Sequence, residues 1–242
     1  MHFGIIAAGE GSRLAGEGLE VSKPMLRLCG EPMIGRLINL YVNAGAETVS
    51  VVINDFMPDV KAYLETLQRS LPVPLYLKVK STPSSMHTFL ELSEILPDKG
   101  RFIATTVDTI FREKDFLKYV EAFRNAPEDV DGMMAVTDFI EDEKPLYVDV
   151  DSSLDITAFK DMPYDGFKYV SGGIYGLDGK AVEVLETCMA EGVSRMRNFQ
   201  RRLIEEGLRL KAFPMGKIID VDHLSDIGRA EELLKGIKDG WE

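Results

Sequence analysis

Apolar residues in the first half of the chain concentrate in short strand-like runs at positions 2–7, 48–53, 75–79 and 101–106. Between these runs, apolar positions recur every three or four residues over 33–44, 58–70, 85–96 and 114–125. Short runs of this kind fit strands buried on both faces, and the wider spacing fits helices with one covered stripe. Strands alternating with helices in this way predict an α/β fold: a mostly parallel central sheet with right-handed crossovers, flanked by helices.

The second half changes character. Strand-like runs at 132–138, 146–151, 155–160 and 169–176 follow one another with few helices between them, which predicts a mixed or antiparallel extension of the sheet. A helical stretch over 180–206, broken near Gly192, leads to strands at 208–213 and 218–221 and a final amphipathic helix over 224–238. No repeat, low-complexity segment or clean linker interrupts the chain. One domain of two lobes is expected, about residues 1–130 and 131–242.

With 242 residues, 45% of them hydrophobic, the chain can bury a substantial core. No apolar run approaches the roughly 18 residues of a membrane span, and Met1-His2-Phe3-Gly4 carries no basic leader region. Cys29 and Cys188 stand far apart in no metal-binding spacing, which fits a reduced, cytoplasmic setting. A net charge of −12 disfavours a nucleic-acid partner. The nearest thing to a basic cluster, Arg195, Arg197, Arg201 and Arg202, reads as the solvated face of a helix.

The chemistry begins where the first apolar run stops, at Ala7-Ala8-Gly9-Glu10-Gly11-Ser12-Arg13-Leu14, followed by Lys23-Pro24. A strand ending in two glycines, a serine and an arginine offers bare backbone N–H groups and a fixed positive charge, a combination suited to a polyphosphate. A dinucleotide fingerprint needs a third glycine where Leu14 stands, and a P-loop needs Gly-Lys-Ser/Thr. A simple connecting turn leaves Arg13, Lys23 and Gly30-Glu31-Pro32-Met33 unexplained.

Taken together, Gly9-Glu10-Gly11-Ser12-Arg13-Leu14, Ser22-Lys23-Pro24-Met25-Leu26 and Leu28-Cys29-Gly30-Glu31-Pro32-Met33-Ile34 resemble the signature of the nucleotidyltransferases. These are the sugar-1-phosphate nucleotidyltransferases and their cytidylyltransferase relatives. The resemblance implies a Rossmann-like, mixed but mostly parallel sheet of the nucleotide-diphospho-sugar transferase (GT-A-like) type. It also implies nucleotide contacts from Ala7, Ala8, Gly9, Gly11, Ser12 and Arg13. Ligands of open α/β sheets bind beyond the carboxyl ends of the strands, the edge where Gly9, Asn54, Ser81 and Asp108 are expected; Asn54 is a further candidate for the nucleotide.

Asp108 closes the fourth apolar run. By resemblance it is a Mg²⁺ ligand; otherwise it is a loop acid or a helix cap. Asp220 and Asp222 fall on one side of an extended strand, so both are expected to face one ion, as in the family's acid-x-acid element. His223 reads as a loop histidine, because hard cations prefer oxygen, and Ser225 or Asp226 as a helix cap. Arg13 and Lys23 are expected to neutralise phosphate charge.

Lys160 resembles the lysine that grips the acceptor's phosphate, with an ordinary surface lysine as the alternative. Phe159 precedes it where sugar-activating members often carry a glutamate. Gly172 and Gly173 resemble a small-residue strand that lets the acceptor lie close, or else mark a bulge. Ser84, Ser85 and Thr88 are placed to hydrogen-bond a nucleobase or to cap the helix that follows.

The resemblance thus implies a Mg²⁺-dependent transfer from a nucleoside triphosphate to a phosphorylated small molecule, with release of pyrophosphate. A sugar-1-phosphate acceptor comes first, cytidyl transfer to a phosphoalcohol such as phosphocholine second, and molybdopterin nucleotide transfer third. Glycosyl transfer and non-catalytic nucleotide binding are the competing classes. Neither a nucleic acid nor a membrane is expected as partner, and the sequence is silent on the base and on oligomeric state.

Overall fold

The computed structural model describes residues 1–98, 100–140 and 143–236. Strand β1 (His2–Ala7) runs into the glycine loop and a single helical turn, α1 (Ser12–Gly16). A 3-10 turn, Lys23–Met25, then leads through the small hairpin β2 (Arg27–Leu28) and β3 (Glu31–Pro32) into α2 (Met33–Asn43). The order continues β4 (Thr48–Ile53), α3 (Pro58–Leu67), β5 (Leu75–Val79), α4 (Ser85–Ser93), β6 (Phe102–Thr106), β7 (Thr109–Ile110) and α5 (Glu113–Arg124). The second half comprises β8 (Gly132–Thr137), β9 (Tyr147–Val150), β10 (Ile156–Lys160) and β11 (Tyr169–Leu177). It ends with α6 (Gly179–Ala190), α7 (Met196–Glu205), β12 (Leu210–Pro214), β13 (Ile219–Asp220) and α8 (Leu224–Lys235).

Nine strands form one mixed sheet in the order β10-β9-β11-β6-β1-β4-β5, with β8 pairing both β11 and β12. In the first half β6, β1, β4 and β5 are parallel neighbours. Every residue of β1 and β4 is buried, as expected for strands covered by helices on both faces. The α2 stripe Ile34, Leu37, Ile38 and Tyr41 covers one face, and the Tyr41 hydroxyl bonds the Gly4 carbonyl at 3.1 Å. Met86, Phe89 and Leu92 of α4 pack on the other face with Phe102 and Ala104.

The predicted antiparallel extension is carried by β11, whose C-terminal half pairs with β6 and whose other edge pairs with β8. The sheet is therefore continuous across the two halves. The helical stretch over 180–206 is two helices with a turn at Gly192, and α8 ends at Lys235 with Gly236 in the left-handed conformation. Positions 237–238 of the expected final helix lie outside the described residues. No helix among the described residues is long and apolar enough to cross a membrane.

A smaller apolar cluster stands apart from the two main layers: Leu26, Leu28, Met33, Ile110, Ile219, Val221, Ala230 and Leu233. It packs the segment after the 3-10 turn, the strand tip after β6, the segment before α8 and the C-terminal half of α8 against one another. The two-stranded ladder β7–β13 runs through it, pairing Ile110 with Ile219 and Thr109 with Asp220. Strands this short carry no readable alternation, and the periodicity of the sequence did not predict the ladder.

Candidate active site

The small cluster explains why residues distant in sequence meet. Lys23 lies three positions before Leu26, Asp108 two before Ile110, and Asp222 directly after Val221. The Val221 N–H donates to the Asp108 carbonyl at 3.1 Å, which holds the two acidic segments side by side. Ser22 fixes the lysine turn from below, donating through its N–H (3.0 Å) and hydroxyl (2.5 Å) to Asp59 at the start of α3.

The Lys23 ammonium sits between the two carboxylates, 2.5 Å from Asp108 Oδ2 and 2.7 Å from Asp222 Oδ1. Arg13 donates to the other Asp222 oxygen at 2.7 Å. Lys23 is 9% exposed. Burial works against its charge, but Asp108 and Asp222 outweigh that and raise its pKa to about 12. Burial would likewise push the Asp108 carboxyl up, and the adjacent Lys23 instead holds it below the usual carboxylate range.

The glycine loop reaches this cluster directly. Gly11 has φ +62°, and a Cβ there would lie 2.9 Å from Lys23 Cβ, so the close approach requires glycine. Ala7 and Ala8 are buried at the end of β1, Gly9 is exposed, and Leu14 anchors α1 in the core. Gly11, Ser12, Arg13, Lys23 and Asp222 line an open cavity of about 330 Å³. Glu17 at the end of α1 accepts from the Leu224 N–H (2.7 Å) and bonds His223 Nδ1 (2.5 Å), tying the loop to α8.

Two convergent carboxylates form a hard-oxygen pair that already surrounds one cation, the ammonium, so the residues fit a divalent ion such as Mg²⁺ with water and phosphate completing its shell. Asp220 accepts a hydrogen bond from Thr109 Oγ1 at 3.0 Å and lines the same cleft as Asp108 and Asp222, and no group of three or more potential ligands gathers among the described residues. Strand β13 stops at Asp220. Beyond it, Asp226 accepts from the N–H groups of Asp222 (2.9 Å) and His223 (2.8 Å), redirecting the chain into the α8 capping box.

The remaining candidates divide. Asn54 is 3% exposed and ties loops together, donating to the Ala8 carbonyl and accepting from the Phe56 N–H. Thr88 is buried and bonds Thr82 and the Ser84 carbonyl, whereas Ser84 and Ser85 line a cleft of about 400 Å³ that also holds Asp108, Asp220 and Asp222. Gly173 lines the same cleft, and Gly172 an adjoining cavity of about 250 Å³. At Gly173, with φ +70°, a Cβ would lie 2.5 Å from Thr109 Oγ1, within the bulge where β11 slips against β8. Packing therefore demands that glycine before any ligand does.

Lys160 is not part of the cleft wall. Its ammonium bonds Asp149 Oδ2 at 2.9 Å and stacks 3.8 Å from the Tyr164 ring. The cleft is lined instead by Lys144, Arg195, Arg197 and Gln200, which sequence reasoning passed over as part of a solvated helix or not at all.

The profile of the Nucleotidyl transferase family matches residues 4–240. Over 61 residues the chain is 41% identical to a 2-aminoethylphosphonate cytidylyltransferase of Lancefieldella rimae; the match spans 25% of this chain and about a quarter (24%) of that relative's length. The fold matches the inositol-1-phosphate CTP transferase of T. maritima at a TM-score of 0.80 and 17% identity, covering 100% of this chain and 97% of that one. A Bacillus anthracis protein assigned as a glucose-1-phosphate thymidylyltransferase superposes at a TM-score of 0.82 and 20% identity, covering 99% and 97%. With the family profile matching nearly its whole length, the chain belongs to the nucleotidyl transferase family.

Proposed function

We propose that the protein transfers a nucleotidyl group from a nucleoside triphosphate to a small molecule bearing a phosphate or phosphonate, releasing pyrophosphate. The observation that carries this reading is the convergence of Lys23, Asp108 and Asp222 beside the glycine loop. An acceptor of this kind is already an anion, so the transfer needs positioning and charge neutralisation rather than a general base. Arg13 and Lys23 exchange carboxylate partners for the oxygens of the triphosphate, and the N–H groups of Gly9, Gly11 and Ser12 line its path. Asp108 and Asp222 would hold Mg²⁺, which when bound would neutralise the developing phosphate charge. The enzyme works in a reduced, cytoplasmic setting, in keeping with free cysteines at Cys29 and Cys188.

Among acceptors, sugar-1-phosphates have the family's breadth behind them. A second reading, cytidyl transfer from CTP to a phosphonate or phosphoalcohol, is favoured by two observations. Phe159 is a buried core residue where a sugar-binding glutamate is often found, and a 61-residue stretch is 41% identical to the L. rimae cytidylyltransferase. Pyrophosphate release with Mg²⁺, measured for each nucleoside triphosphate against sugar-1-phosphates, phosphocholine and 2-aminoethylphosphonate, tests both. Release with one pair names the substrates. Nucleotide binding without release from any pair, with nucleotide-sugars then tried as donors, overturns the transfer reading.

A further inference from the structure

From Ser12 to Gly18 every residue is exposed except Leu14. A single helical turn has little stability of its own, so one apolar anchor leaves the placing of α1 to its polar ties. Two of these ties point the same way. Arg13 and Glu17 stand four residues apart, one above the other on the turn. Arg13 donates to Asp222 Oδ2 at 2.7 Å. Glu17 accepts from the Leu224 N–H at 2.7 Å and bonds His223 Nδ1 at 2.5 Å. The turn is thus fastened at both points to residues 222–224, where α8 begins.

The two ties meet different fates when a triphosphate arrives. Arg13 lines the open cavity of about 330 Å³ beside Lys23 and Asp222, and Glu17 stands outside it. A polyanion draws the guanidinium off Asp222 and gains nothing from a carboxylate. The Glu17 tie therefore survives. Its charge lies at the N-terminal end of α8, where the helix dipole favours an anion, and it satisfies an N–H that lacks a partner within the helix. Glycines flank Glu17 at positions 16 and 18, and Gly18 has φ +97°, so nothing in the local backbone replaces the tie.

We propose that Glu17 is a positioning residue for the nucleotide: it keeps the glycine loop against the Asp222 segment while Arg13 changes partners from the carboxylate to the triphosphate. Calling the anion a nucleotide rests on the transfer reading; the positioning itself is testable with the triphosphate chain alone. Electrostatics and positioning predict opposite results. Glu17 is a negative charge one helical turn from Arg13, so if only its field mattered, removing it would tighten the binding of a polyanion. If it holds the loop, removing it weakens that binding.

Inorganic tripolyphosphate with Mg²⁺ is titrated by calorimetry into wild type, Glu17→Ala, Glu17→Gln and Glu20→Ala. Glu20 is an exposed acid on the same loop and serves as the control for charge. The expected result is binding about tenfold weaker in Glu17→Ala. Glu17→Gln keeps an oxygen for the Leu224 N–H and should bind within about twofold of wild type. Glu20→Ala should bind at least as tightly as wild type. Melting curves accompany each titration, and restored binding in Glu17→Gln shows that the loss in Glu17→Ala is not general unfolding. Binding by Glu17→Ala equal to or tighter than wild type, no restoration in Glu17→Gln, or no tripolyphosphate binding by wild type overturns the proposal. Once a substrate pair is known, Glu17→Ala should raise KM for the nucleotide and leave KM for the acceptor unchanged. If Glu17→Ala weakens tripolyphosphate binding while no pair releases pyrophosphate, the transfer reading fails and the positioning role stands. If pyrophosphate is released and Glu17→Ala changes neither tripolyphosphate binding nor nucleotide KM, the positioning role fails and the transfer reading stands.

Discussion

The ammonium of Lys23 lies 2.5 Å from the carboxylate of Asp108, 85 residues further along the chain. In the free protein the lysine holds the oxygens that a divalent cation would take. Metal and lysine therefore compete, and an arriving triphosphate resolves the competition by giving Lys23 another anion. Free wild-type protein should bind Mn²⁺ weakly by electron paramagnetic resonance, and Lys23→Met should bind it about tenfold more tightly without nucleotide. Equal Mn²⁺ affinity in the two proteins would contradict the shared position.

Asp226 acts on the site through Asp222. It is 5% exposed, its Oδ2 accepts two backbone N–H bonds, and Arg229 holds its other oxygen. Asp226→Ala removes the cap and should cost about 0.5–2 kcal/mol of stability. It should also weaken Mn²⁺ binding to the nucleotide complex, because the Asp222 backbone loses its anchor. A melting curve and a Mn²⁺ titration separate the two effects; a stability loss with unchanged Mn²⁺ binding would leave Asp226 a helix cap alone.

The two loop glycines should respond differently to alanine. Gly11→Ala meets both a left-handed backbone and Lys23 Cβ, and should lose about 1–2 kcal/mol while raising KM for the nucleotide. Nothing lies within 4 Å of the Cβ position at Gly9, so Gly9→Ala should stay within about 0.5 kcal/mol of wild type. Urea unfolding of both variants checks the contrast.

Asp131 gives the fold an acid-sensitive bond away from the site. It is 9% exposed and accepts from Lys180 Nζ (2.5 Å) and the Arg209 N–H (2.8 Å). Burial pushes its carboxyl up, and Lys180 with the Arg209 N–H outweighs this and holds it below the ordinary 3.8. The resulting stabilisation is present above pH 3.8 and is lost as pH falls through the lower folded-state value. Asp131→Asn should therefore be less stable than wild type at neutral pH, and the gap should close on acidification. A gap that stays constant down to acid unfolding would contradict the assignment.

Much of the fold is legible in the sequence because each signal is local. The runs at 2–7, 48–53 and 75–79 become strands with those same bounds, since each is a short, largely apolar stretch between turns. Arg13, Lys23 and Asp108 stand out because loop glycines and strand tips announce themselves. What stayed hidden depends on contacts across the chain. The β7–β13 ladder that brings Asp222 to Asp108 consists of two-residue strands. Asp222 lies past the end of β13, where the capping box of α8 turns the backbone, so its contact with Lys23 is not readable from strand alternation alone. Arg195 was grouped with Arg197, Arg201 and Arg202 because nothing in the sequence marks a positive φ or shows which of them line the cleft. Lys160 looked free because its partner Asp149 lies on the neighbouring strand, β9.

The central claim, that Asp108 and Asp222 hold the metal for nucleotidyl transfer, is tested most directly by pyrophosphate release from Asp108→Asn at saturating nucleoside triphosphate, acceptor and Mg²⁺, with circular dichroism as the check on folding. The account predicts a native spectrum and turnover reduced by about a thousandfold or more. A natively folded Asp108→Asn that releases pyrophosphate at near wild-type rate would contradict it.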